Sequence, residues 1–154
     1  MSEWTRTTQE VTFEGLRPEM VAAIQQHLEQ YNLGSILSDA LMVVQTDSEK
    51  AKKGLFGGAE IVHMGVVLTP RWLVWVISGT KTKTAVLSAQ LRDVVVQDYA
   101  QTQFAKIISD MGIQVSGRFT GVSDNVSAFI GVDDSAAGRK FKEIVIQAVQ
   151  DAKK

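Results

Sequence analysis

Residues 60–78 read EIVHMGVVLTPRWLVWVIS, and this stretch decides the fold. Two apolar runs, Ile61–Leu68 and Trp72–Ile77, flank Thr69-Pro70-Arg71. Val, Ile and Trp fit a pleated, buried surface, and a short break containing Pro turns the chain, so the stretch predicts a β-hairpin. Neither run alternates: both are apolar at nearly every position. A strand wetted on one face alternates apolar with polar residues, so this hairpin is expected to be buried on both faces, or to have one face closed over by another element. Trp72 and Trp75 are three residues apart and point to opposite faces. One belongs in the core; the other lies under a helix or forms an exposed contact.

Upstream, residues 1–15 read as irregular chain or an edge strand, with Val11 and Phe13 alternating. Leu16, Met20, Ile24, Leu28 and Tyr31 then recur at about four-residue steps, the apolar face of a helix. Pro18 suits its first turn, and Asn32 and Gly34 are stop signals. His27 falls near the polar side of that helix and reads as solvated. Ile36–Thr46 predicts a strand centred on Leu41–Val44.

Downstream, Thr84–Leu87 reads as a short strand, Ser88–Leu91 as a connection and Arg92–Tyr99 as another strand. Gln101–Ser109 fits helix or strand equally. Ile113–Gly121 and Val126–Val132 form a second hairpin through Ser123-Asp124-Asn125, good turn chemistry. The C-terminal helix has the clearest pattern, with Phe141, Ile144, Val145, Ala148, Val149 and Ala152 on one stripe. Asp133, Asp134 or Ser135 can cap its start. Many short strands with a final amphipathic helix predict a β-rich α+β fold, a barrel or sandwich with a helical plug.

Composition narrows the function. The chain has 154 residues, enough for one domain with a real core. It has no cysteine, which excludes disulfides, a cysteine nucleophile and thiolate metal sites. Residues 1–20 lack the apolar core of a signal peptide, and no apolar run is long enough to span a membrane. A cytoplasmic location is therefore expected, peripheral at the membrane if the chain binds lipid. The net charge of −1 argues against nucleic acid as a partner. The distribution is uneven, however. Residues 1–49 hold two basic residues against eight acidic, a balance of −6, and residues 50–92 hold seven against one, a balance of +6. Such segments attract each other or an anionic partner.

Within the basic segment, Lys50, Lys52 and Lys53 precede Gly54, Gly57 and Gly58. A glycine-rich loop with lysines can cradle an anionic group. No Gly-Lys-Ser/Thr closes it, so it is not a P-loop. A solvated hairpin loop is the competing reading. Leu55 and Phe56 at its tip are apolar residues placed to cap the barrel, touch a partner or enter a membrane surface. Arg71, in the central turn, adds a further positive charge. The two histidines stand 36 residues apart, and no nucleophile or zinc motif occurs. The chain is expected not to be an enzyme and to need no cofactor or metal.

Gly65-Val-Val-Leu-Thr-Pro-Arg-Trp-Leu-Val-Trp75 resembles the second-to-third-strand hairpin of bacterial pleckstrin-homology-like (PH-like, GRAM-like) domains. Ile130-Gly131 leading into Gly138-Arg-Lys-Phe141 resembles their last strand and C-terminal helix. The resemblance covers roughly residues 36–154 and leaves residues 1–35 as an N-terminal helical extension. It implies a bent seven-stranded barrel plugged by the C-terminal helix. Such domains bind phosphoinositides, other anionic lipids, peptides or proteins. Lys52 and Lys53 answer to the first-strand lysine of lipid-binding members. The strand Glu60–Leu68 lacks their second-strand basic pair, and Arg71 beyond it is a poor substitute. The expected function is a binding or scaffolding module for a protein partner or a second copy of the chain. The alternative is an anionic lipid headgroup or membrane surface bound through the Lys50–Gly58 loop; the candidate ligand- or partner-binding residues are Lys50, Lys52, Lys53, Leu55, Phe56 and Arg71.

Overall fold

A computed structural model describes residues 4–50, 60–108 and 110–154. Among these, the long elements follow as β1 (Trp4–Glu10), α1 (Pro18–Gln30), β2 (Met42–Lys50), β3 (Glu60–Leu68), β4 (Trp72–Gly79), β5 (Ala85–Gln90), β6 (Val94–Asp98), β7 (Gly112–Gly117), β8 (Val126–Gly131) and α2 (Ala136–Ala152). The strands make two antiparallel sheets, of order β1-β2-β3-β4-β5 and β6-β7-β8. A 3₁₀ turn at Leu91–Asp93 carries the chain from one sheet to the other.

The quoted hairpin is β3 and β4, in register from Val62↔Gly79 to Leu68↔Leu73. Both of its faces are buried. Val66, Leu68, Leu73 and Trp75 face the smaller sheet and α2, sharing a core with Val115, Ile130, Phe141 and Val145. Val67, Val74 and Val76 face the other way and are covered by Leu16, Met20 and Ile24. The molecule is thus layered, with α1, the five-stranded sheet, and the smaller sheet with α2 in succession. Trp75 lies in the inner core, edge-on to Phe119, while Trp72 packs, partly buried, against the cluster on the α1 side of the sheet.

Local chemistry sets the helix ends. Pro18 opens α1, and Asn32, at φ 55, closes it. There the Leu33 and Asn32 amides return to the Leu28 and Glu29 carbonyls, a Schellman arrangement. Ser135 caps α2 by accepting a bond from the Gly138 amide. Gly65 makes room for Leu16, just before α1, because a Cβ there would lie 2.9 Å from Leu16 Cδ2.

Several expectations are corrected. The bent seven-stranded barrel is not closed: among the described residues no backbone ladder joins β1 to β8, and the five- and three-stranded sheets remain distinct. The strand expected at Ile36–Thr46 starts at Met42 instead, because Ile36 and Leu37 pack against the α1 side of the core, with turns at Ser35–Ser38 and Leu37–Ala40. Ser88–Gln90 is not a connection but the end of β5. Its serine, fully buried, is bonded by His27 and Thr120. Of the segment left open between helix and strand, Gln103–Lys106 form a 3₁₀ turn.

Candidate functional site

The unclosed seam between β1 and β8 leaves a cleft of about 250 Å³. Alternation along β1 aims Trp4, Arg6 and Thr8 at the side that also carries Thr46 and Ser48 of β2. Val62 and Met64 of β3 and Ile77 of β4 supply an apolar floor, and Phe129 and Gly131 of β8 the far wall.

Arg6 spans the seam. It makes a two-pronged ion pair with Asp110, the second contact being Nη2 to Oδ2 at 3.1 Å. Its guanidinium carbon stands 5.6 Å from the centre of the Phe129 ring. Gly131 makes room, since a Cβ there would come within 2.7 Å of Arg6 Nε. One step along β1, Asp133 accepts a bond from the Thr8 amide at 2.9 Å and returns its own amide to Thr8 Oγ1 at 3.0 Å. Burial alone raises the pKa of Asp133, but its bonds from Ser135 and Thr8 outweigh that and hold the carboxyl below the usual range. On the near wall, Lys50 Nζ stands 5.9 Å from the centre of the Trp4 ring. Both aromatic walls therefore carry a cation within cation–π range.

The structure separates the expected site residues. Lys50, at the end of β2, reaches the cleft rim over Trp4. Lys52, Lys53, Leu55 and Phe56 lie outside the described residues. Arg71 sits at the other end of β3, roughly 26 Å of extended strand away. There it lines an open depression of about 610 Å³ with Gln90, Arg92 and Asp151. Arg71 and Lys50 do not act on one ligand group. Nothing in the sequence singles out Trp4, Arg6, Asp110 or Phe129. The period-two spacing of Trp4, Arg6 and Thr8 is the one trace of the cleft there.

His27 corrects another expectation. It is 8% exposed rather than solvated, with Nε2 2.8 Å from Ser88 Oγ and its ring 4.8 Å from that of Tyr31. Burial lowers its pKa. A histidine bonded to a serine has the form of a base and its nucleophile, but Ser88 has no exposed surface for a substrate to reach. His63 bonds Asp47 across the sheet through Nδ1 at 2.7 Å. Among the described residues, no three His, Cys, Asp or Glu side chains gather to hold a metal ion, and no helix is long and apolar enough to cross a membrane. Comparisons with protein-family models, with curated proteins and with solved structures find no match to this chain.

Proposed function

We propose that the chain is a non-catalytic binding module that takes an apolar side chain of a protein partner into the β1–β8 cleft. The observation that carries this is the cleft's construction: an apolar floor between two aromatic walls, each bearing a cation. At about 250 Å³ it is smaller than the roughly 300–1,000 Å³ of small-molecule sites, which suits one inserted side chain rather than a whole cofactor. Acidic residues beside that side chain would compete with Asp110 for Arg6. A PH-like architecture is part of this reading. It is supported by four strands, β2–β5, then three, β6–β8, then α2, with β1 added at an edge.

Selection of displayed random peptides on the parent protein tests the reading. Peptides with an apolar residue flanked by acids should be enriched, and Val62→Trp, which fills the floor, should weaken their binding by about tenfold or more. Failure of enrichment, or equal binding by the variant, rejects the cleft. The second reading is an anionic lipid headgroup, favoured by the position of Lys50 at the cleft rim. It requires the parent to sediment with anionic vesicles at low salt and Lys50→Glu with Lys52→Glu and Lys53→Glu to abolish this.

A further inference from the structure

At one end of the five-stranded sheet, two turns are locked to each other and each displays an arginine. In the β3–β4 turn, Thr69 Oγ1 accepts bonds from the Arg71 and Trp72 amides at 3.2 and 2.9 Å. The Arg71 carbonyl in turn accepts a bond from the Leu91 amide at 2.8 Å. Leu91 is fully buried and opens the 3₁₀ turn that carries Arg92. The backbone beneath both arginines is therefore held in place, while both residues are exposed. Together they line the depression of about 610 Å³, with Gln90 beside them and Pro70 and Ala152 as an apolar border.

The charges around this pair are unbalanced. Arg6, Arg17 and Arg139 each reach a carboxylate, on Asp110, Glu19 and Asp134. Among the described residues, Arg71 and Arg92 have no ion-pair partner. Asp151, the one acid of the lining, is engaged on α2: it accepts a bond from Gln147 Nε2 at 2.9 Å and stands 3.4 Å from Lys154 Nζ. The Gln150 and Asp151 carbonyls are likewise taken, by the Lys153 and Lys154 amides. Asp93, next to Arg92 in the chain, does not line the depression. Two cations directed at one depression repel each other, and an anion between them relieves the repulsion. A guanidinium is a planar fork that binds two oxygens at once. One fork satisfies a carboxylate. Two forks on separate turns suit a group with more terminal oxygens and a second negative charge, which describes a phosphoryl group. Gln90 adds an amide that both donates and accepts. The volume lies within the roughly 300–1,000 Å³ of small-molecule sites, leaving room for an organic group against Pro70 and Ala152.

We infer that Arg71 and Arg92 form a binding site for the phosphoryl group of a phosphate monoester. The depression shares no lining residue with the β1–β8 cleft, so either proposal can fail alone. The test is a nuclear magnetic resonance titration of the parent with inorganic phosphate, following the arginine Nε–Hε signals. Sodium chloride and sodium acetate at equal ionic strength are the controls. Phosphate should shift the Arg71 and Arg92 signals saturably, with a Kd of about 1 mM or tighter. Arg71→Gln and Arg92→Gln should each weaken binding by about tenfold with an unchanged melting temperature, since both residues are exposed and the turn's own bonds come from Thr69 and the backbone. Val62→Trp should bind phosphate as the parent does. Vesicles of phosphatidic acid and soluble glycerol 3-phosphate separate the two sources of the group. Sedimentation with the vesicles that excess phosphate reverses, and that Arg92→Gln abolishes, assigns the site to a lipid headgroup. A parent that stays in the supernatant but binds glycerol 3-phosphate assigns it to a soluble monoester. Absence of saturable shifts, the same shifts with chloride or acetate, or variants that bind as tightly as the parent overturn the inference.

Discussion

His27 shows how one side chain ties two layers together. It leaves α1, passes under Tyr31 and bonds Ser88 of β5, whose hydroxyl continues to Thr120. Its polarity reads as solvation in the sequence; its partner 61 residues away makes burial tolerable. The cost appears in acid. Burial holds the folded pKa below the ordinary 6.5, so the unfolded chain takes up the proton first as pH falls. The stability from neutral His27 is therefore complete above 6.5 and is lost as pH falls through the depressed folded value. The melting temperature of the parent should drop between about pH 7 and pH 5, and that slope should flatten in His27→Gln. Equal slopes in the two proteins count against the buried, neutral imidazole. Gly138 gives a second residue-scale prediction. In an exposed helix interior, Gly→Ala gains about 1 kcal/mol. Here the new Cβ would stand 2.1 Å from the Asp133 carbonyl oxygen, so Gly138→Ala should destabilise, by about 1–3 kcal/mol in chemical denaturation.

Among the elements, the legible ones carry their reason within a dozen residues. The stripe of α2 is visible in the sequence, and Phe141 and Val145 are fully buried. Val145→Asp should place an unpaired charge in the core and cost about 4 kcal/mol or more, read as a large loss of melting temperature. The β3–β4 hairpin is legible too, including its burial on both faces. β5 is legible only in its first half, read as a strand at Thr84–Leu87, because Ser88 reads as turn chemistry until His27 and Thr120 satisfy it. β1 reads equally as irregular chain or edge strand because its sequence, WTRTTQE, has no apolar row. Its inward residues are Arg6 and Thr8, and what they meet is Asp110 and Asp133, more than a hundred positions away. The cleft is invisible for the same reason. Its walls come from five strands, and its basic group is defined by a partner 104 residues distant.

For the whole molecule, the expectation of a β-rich body with a covering C-terminal helix holds, whereas the closed barrel does not. The hydrophobic pattern specifies which faces are buried, but closure depends on whether the last free edges find each other, and apolar periodicity carries no signal for that. The two sheets are instead joined differently along their two margins. On one side the chain itself turns the corner at Leu91–Asp93. On the other, Arg6–Asp110 and Thr8–Asp133 bridge β1 to the neighbourhood of β8.

In mechanical terms the first margin is a hinge and the second a clasp. Releasing the clasp leaves every ladder within each sheet intact, so the molecule can open like a book before either cover warps. Arg6→Ala should accelerate hydrogen exchange at the seam-facing Thr8 amide and raise binding of a hydrophobic dye, while far-ultraviolet circular dichroism stays the same. Loss of helix and strand signal in parallel with exchange would mean that the margin does not open separately. Asp133 adds a condition to the clasp. Its carboxyl is held below the ordinary 3.8 when folded, so its share of the closure is present above that value and fades as pH falls through the folded one. Acid should thus loosen the book at its free edge first, with the spine at Leu91–Asp93 still turned.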